Sequence, residues 1–329
     1  RLAAFARTLA DETAHLRADG GIGVIPPDFV IDRTLPQLAN LTKPPAGESG
    51  LVTALVQRAQ KAGIAGDWQA RAERIVAGEI YPAVTRQAQW FKDQRAGAVH
   101  DAGVWRLPKG EAYYSYALEY GTTTKMSAEE IHQLGLARMA ELSARADQIL
   151  IAQGMRNGTV AERIRALGRD PRFLYANTEE GKTKLIADLN KQMAEMQRRL
   201  PEKFGRLPKA KVEIRRIPVE IEAGATGGYY RLPSLDGSRP GAYYINLRDT
   251  AETPSWSLPT LTYHEAIPGH HMQISLALET TSLHPLRRLA PFSAYSEGWA
   301  LYAEQLAQEM GVYEGDPFGE VEWQADAAM

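Results

Sequence analysis

At Pro268 a helix has to stop. The stretch YHEAIPGHHMQ, Tyr263 to Gln273, is helical in composition on both sides of that residue. A proline has no backbone N–H, and its ring collides with the carbonyl four residues back, here that of His264. Gly269 follows, free of the steric limits that bind other residues. The expectation is therefore one helix that ends near Ala266 and a second that begins with Pro268 in its first turn. Ser257 with Pro259 marks the start of the first.

The break decides what the histidines can do. Two imidazoles on a regular helix share a metal ion when they lie four residues apart, about 40° round and ~6 Å along the axis. That is the geometry of His-Glu-x-x-His. His264-Glu265 opens the same way, but the next histidines, His270 and His271, stand six and seven positions on. Six residues turn a side chain by about 600°, and seven move it about 10.5 Å along the axis, so a straight helix serves neither. A kink or bulge that absorbs two residues returns one of them to the side of His264, and bulged helices gather at functional sites. The competing reading is a Pro-Gly loop carrying surface histidines. Against it, three of the seven histidines fall within eight positions, beside a glutamate.

A hydrolytic zinc site usually takes three protein ligands and leaves a fourth position open. Downstream, SAYSEGWALYAEQL reads as a helix with Glu297, Leu301 and Glu304 on one face. Alone it is an ordinary amphipathic helix with solvated charges. Beside the histidines, Glu297 is the candidate third ligand, and Glu304 a group that orients a ligating histidine. The chain has no cysteine, so disulfides and thiolate ligands are excluded and any metal must be held by His, Asp or Glu.

The 329 residues suffice for one large domain or two ordinary ones. Positions 1–205 read as a helical region. GLVTALVQRAQKAG and GDWQARAERIVAGEIYPAVTRQAQWFKDQ carry apolar residues at three- and four-residue intervals. Ser127 and Glu130 form a capping box, and a helix from about Thr178 to Leu200 stops at Pro201. His132, alone on its helix, reads as a packed or solvated residue. Positions 206–250 form a small β region: KVEIRRI alternates, and Tyr229–Leu232 and Ala242–Leu247 pair as a hairpin across Asp236-Gly237 and Pro240-Gly241. Positions 251–329 hold the metal-site helices. The expected fold class is mainly α, with a large helical domain and a small antiparallel hairpin or sheet.

A content of 44% hydrophobic and 24% charged residues marks a soluble globular chain. A formal charge of -2 gives no reason to expect nucleic acid or an anionic membrane as partner. No apolar run approaches the roughly 18 residues of a transmembrane segment. The start at Arg1 suggests a trimmed N-terminus from which an export signal could have been removed, and QADAAM ends without a stop signal, so the natural chain is expected to continue beyond 329.

Four motifs, EEIHQLGLARM, DGSRPGAYYIN, YHEAIPGHHMQ and YSEGWALYAE, together resemble a bacterial family labelled domain of unknown function 885. Its members are described as lipoproteins or metallopeptidases, are placed near the His-Glu-x-x-His zinc peptidases, and continue past the equivalent of Met329. The likeness runs from about Gly103 to the C-terminus. SEGWALYAE is also similar to the third-ligand helix of aminopeptidase N-type enzymes. The resemblance implies a gluzincin-like helix pair in which Zn2+ is held by His264 and Glu297, with Glu265 as general base. Alignment with the Gly-His of related oligopeptidases favours His270 as second histidine ligand, with His271 the alternative.

A zinc-dependent peptidase acting on a peptide substrate is the function so implied. Tyr295 and Tyr263 are candidates for stabilising the oxyanion. The hairpin could offer an edge for a substrate strand, on which basis Tyr243, Tyr244 and Asn246 are named. Arg239 either anchors a substrate carboxylate or is a solvated turn arginine. Two rivals stand beside this reading: a metal-binding relative without catalysis, and a helical interaction protein in which the motif is incidental. The oligomeric state is left open. Resemblance to lipoproteins favours the cell envelope.

Overall fold

Apolar residues at helical spacing become helices through most of the first two hundred positions. The computed structural model describes residues 1–219, 221–289 and 292–326. They belong to two units, Arg1–Tyr114 and Ser115–Met329.

In the first unit, α1 (Leu2–Gly21), α2 (Asp28–Thr42), α3 (Gly50–Lys61), α4 (Trp68–Ile75) and α5 (Tyr81–Arg95) surround a core that includes Ile31, Val52, Val76, Ile80, Trp90 and Phe91. The periodicity runs unbroken through α4 and α5, but the backbone widens into a π turn over Val76–Ile80. Pro82 has no N–H to give to the carbonyl of Gly78, and a wider turn accommodates the missing bond.

Helix α6 (Gly110–Thr122) leads into the second unit. There α7 (Ala128–Ala152) starts at the expected capping box: Ser127 Oγ accepts from the Glu130 N–H, and the Glu130 carboxylate accepts from the Ser127 N–H. His132 is exposed on this helix. After α8 (Val160–Leu167), α9 runs Glu179–Lys203 and so passes Pro201 by two residues. A proline in the last turn removes one hydrogen bond without breaking the helix above it. The buried face of α9 carries Leu185, Leu189, Met193, Met196 and Leu200, and these share a core with Ile214, Tyr243, Ile245, Leu258 and Met272.

Strands β1 (Val212–Arg216), β2 (Gly228–Arg231) and β3 (Gly241–Ile245) make one sheet in the order β1-β3-β2. The expected hairpin is β2–β3, antiparallel, with Tyr229 opposite Tyr244 and Tyr230 opposite Tyr243. β1 adds parallel to β3, placing Ile214 opposite Tyr243. The sheet is therefore mixed rather than purely antiparallel, and β3 is internal and buried along its whole length. Helices α10 (Leu258–Glu265), α11 (His270–Glu279), α12 (Pro285–Leu289), α13 (Ser293–Glu309) and α14 (Pro317–Asp326) complete the unit. Among the described residues, no helix is long and apolar enough to cross a membrane.

Leu189 is 0% exposed on α9, whereas Leu134 on α7 is 52% exposed. Leu189→Ala should therefore destabilise the protein by about 2–5 kcal/mol, while Leu134→Ala should stay within about 0.5 kcal/mol of the parent. Urea unfolding followed by circular dichroism checks both.

Candidate metal centre

The two helices expected around Pro268 form, with a wider gap than the sequence pattern implies. α10 ends at Glu265, and α11 begins only at His270, with Gly269 as its cap. Pro268 thus lies in the connection, not in the first turn, and the Ile267–Pro268 peptide is cis. The connection is pinned from α13, where Trp299 Nε1–H donates to the Pro268 carbonyl at 2.8 Å. Gly269 is required by close approach. A Cβ there would lie 1.9 Å from the His264 carbonyl oxygen and 2.3 Å from that of Tyr263.

The gap brings His264 and His270 face to edge, ring centroids 4.8 Å apart at 90°. Glu297, from α13, reaches both: its Oε2 lies 3.7 Å from His264 Nε2 and 3.4 Å from His270 Nε2. The three donors lie within 4.8 Å of one another. An ion bound at about 2.1 Å by tetrahedral donors holds neighbouring donor atoms about 3.4 Å apart, so this set fits one divalent ion with little adjustment.

Protonation is arranged for ligation. Glu304 is fully buried, and its Oε1 accepts from His264 Nδ1–H at 2.6 Å. That bond fixes the tautomer and leaves the Nε2 lone pair turned toward Glu297. Burial, with His264 nearby, holds the His270 pKa below its usual value, which keeps this imidazole neutral and able to coordinate.

His271 does something else. Consecutive helical residues point about 100° apart, so His270 and His271 cannot both face Glu297. His271 Nε2–H donates to the Ala210 carbonyl at 3.0 Å, and its Nδ1 accepts from the Tyr230 hydroxyl at 2.9 Å. Both nitrogens are engaged within the protein, and burial lowers its pKa to about 4. Its role is to tie α11 to the segment before β1 and to β2. Gly241 permits this, since a Cβ there would stand 2.4 Å from the Tyr230 hydroxyl.

A cavity of about 310 Å³ opens over the three donors, lined also by Glu265, Tyr229, Tyr230, Ile274 and Ser296. Glu265 is buried, and it is the last residue of α10.

A family model described as "Bacterial protein of unknown function (DUF885)" matches residues 1–329. The chain belongs to this family. The match extends over the first hundred residues, where the motifs alone stop near Gly103. A solved structure described as a "putative lipoprotein" from Colwellia psychrerythraea is 37% identical, with a TM-score of 0.93, 99% of this chain covered and 57% of that one. The DUF885 chain thus spans little more than half the length of that protein. A second structure, a "putative lipoprotein of unknown function" from Shewanella oneidensis, is 17% identical with a TM-score of 0.50, covering 82% of this chain and 50% of its own, a likeness of fold. No curated protein matches the sequence.

Other residues singled out in the DUF885 sequence lie elsewhere. Tyr263 is packed edge-on against Tyr313 in the core, centroids 6.0 Å apart. Tyr295 is exposed and lines a neighbouring cavity rather than the one over the donors. Tyr243 and Tyr244 cannot offer a strand edge, because β1 covers the free side of β3. Tyr243 is wholly buried, and Tyr244 stacks on Tyr229 at 5.0 Å. Asn246 is structural: its Nδ2 donates to the carbonyls of Glu222, Ala225 and Thr226. Arg239 donates to the Pro240 carbonyl and borders a separate cavity of about 860 Å³. The tyrosines in the cavity over the three donors, Tyr229 and Tyr230, belong to the first hairpin strand. Only the capture of β3 by β1 tells which hairpin strand stays at the edge, and that pairing has no local signal in the sequence.

Gly269→Ala should lower the thermal unfolding midpoint by several degrees, because carbonyls of α10 must move to admit the methyl group. Gly135→Ala, on α7 with open space around the added Cβ, should leave the midpoint unchanged or slightly raised. Differential scanning fluorimetry distinguishes the two.

Proposed function

We propose that this chain carries the zinc site of a peptidase that hydrolyses peptide bonds with a glutamate general base. One observation supports the reading above the others: two imidazole nitrogens and a carboxylate oxygen converge across a helix break, with a second glutamate in the same cavity. His264, His270 and Glu297 would hold the ion. When bound, zinc supplies Lewis acidity, which lowers the pKa of a water toward about 7 and polarises a carbonyl. Glu265 takes the proton of the attacking water and passes it to the leaving amine. Glu304 acts through His264 by fixing its ring and raising its basicity. The outer edge of β2 offers backbone groups to an extended peptide alongside Tyr229 and Tyr230.

A specific observation favours a second reading, metal held without turnover. Tyr295, the expected donor for the oxyanion, lines the neighbouring cavity rather than the one over the ligands, and the Tyr230 hydroxyl is committed to His271. The description of the Colwellia psychrerythraea relative as a "putative lipoprotein" supports a cell-envelope location for the protein.

Metal content by mass spectrometry and turnover of a peptide mixture test both readings. Glu265→Gln should keep one equivalent of zinc and lose turnover by roughly 10²–10⁴-fold, whereas His264→Ala should lose both. Equal cleavage by Glu265→Gln and the parent would remove Glu265 as the base. Zinc in the parent without turnover would leave the second reading. Glu304→Gln should weaken zinc binding by about 10–100-fold, measured by competition with a chromogenic chelator.

A further inference from the structure

The face of α11 that carries His270 continues past the metal donors. Residues three, four, seven and eight further on share that face, so Gln273, Ile274, Ala277 and Leu278 follow His270 along one side of the helix. They line a cavity of about 190 Å³, closed by Leu232 from the segment after β2 and by Phe292 and Tyr295 from the far side. This cavity and the one over the donors share Ile274 and Ser296, so they are contiguous. Ile274 stands one helical turn from His270, ~6 Å, and neighbouring side chains of an extended peptide fall within that reach.

We infer that this cavity is a specificity pocket that takes a large hydrophobic side chain of the peptide, at the residue beside the bond to be cut; the inference rests on the peptidase reading. Two observations carry it. The lining is mainly apolar, with Leu232, Ile274, Ala277, Leu278, Leu289 and Phe292, and an apolar cavity of about 150 Å³ accepts a benzene ring, so a leucine or phenylalanine side chain matches this one in size. Last, Arg287 and Arg288 stand at the end away from the metal, Arg288 held there by its bond to the Leu278 carbonyl. Their charge excludes lysine and arginine side chains from the pocket.

The test is digestion of an equimolar synthetic peptide library by the zinc-loaded protein, with cut sites mapped by mass spectrometry. Leu, Ile, Met or Phe should be preferred over Ala or Gly at one position flanking the cut by at least about 10-fold, with Lys and Arg excluded there. Ala277→Phe, which fills the cavity, and Leu232→Asp, which charges its exposed rim, should each reduce the preference to within about 2-fold. Cleavage without such a preference, or with one that neither variant alters, overturns the pocket and leaves the peptidase reading standing. Should the parent cut nothing, that reading fails, and the pocket is judged by peptides of the same library retained on immobilised zinc-loaded Glu265→Gln protein. Retention enriched in these hydrophobic residues, and lost in both variants, supports the pocket as a binding site. Unselective retention, or none, overturns it.

Discussion

The close approach of Gly269 to the carbonyls of Tyr263 and His264 is the contact on which the meeting of His264, His270 and Glu297 depends. A straight helix would carry His270 to another face and further along the axis. With no side chain at 269, the connection folds back against the end of α10, and Trp299 fastens it through the Pro268 carbonyl. The same helix, α13, delivers Glu297 and Glu304. One element thus fixes the bend and supplies the carboxylates on either side of His264. Displacement of α13 would disturb all three functions together.

Charge follows from that arrangement. Glu265, Glu297 and Glu304 gather around two imidazoles, one held neutral by burial and the other turned by its bond to a carboxylate. Two of these glutamates are buried, a placement that costs free energy unless a cation or hydrogen bonds offset it. A divalent ion at the three donors would add to that compensation where the carboxylates gather.

Much of this was legible in the residues, and the boundary is instructive. Pro268-Gly269 announced the break, the spacing of Glu297 and Glu304 announced the paired carboxylates, and both follow from local geometry that proline and helical period impose. The choice between His270 and His271 was not legible, because it depends on which histidine meets Ala210 and Tyr230, groups sixty-one and forty-one positions away. The substrate-edge residues failed for a related reason. Tyr243 and Tyr244 read as an edge only while the hairpin stands alone. Parallel pairing with β1 is a long-range event, and the alternating pattern of KVEIRRI does not say which strand it will join.

That pairing also shapes the cavity. By covering one side of β3, β1 leaves β2 as the outer strand beside the metal donors, with Tyr229 and Tyr230 on its wall. His271 then locks the arrangement, since it joins the segment before β1 to the hydroxyl of Tyr230 on β2. The adjacent histidines therefore divide the work of one helical turn: His270 faces Glu297 and His264, and His271 holds the sheet edge beside them. The Tyr230 hydroxyl is consumed by this lock, so of the two tyrosines that β2 places on the cavity wall, Tyr230 serves to position the strand.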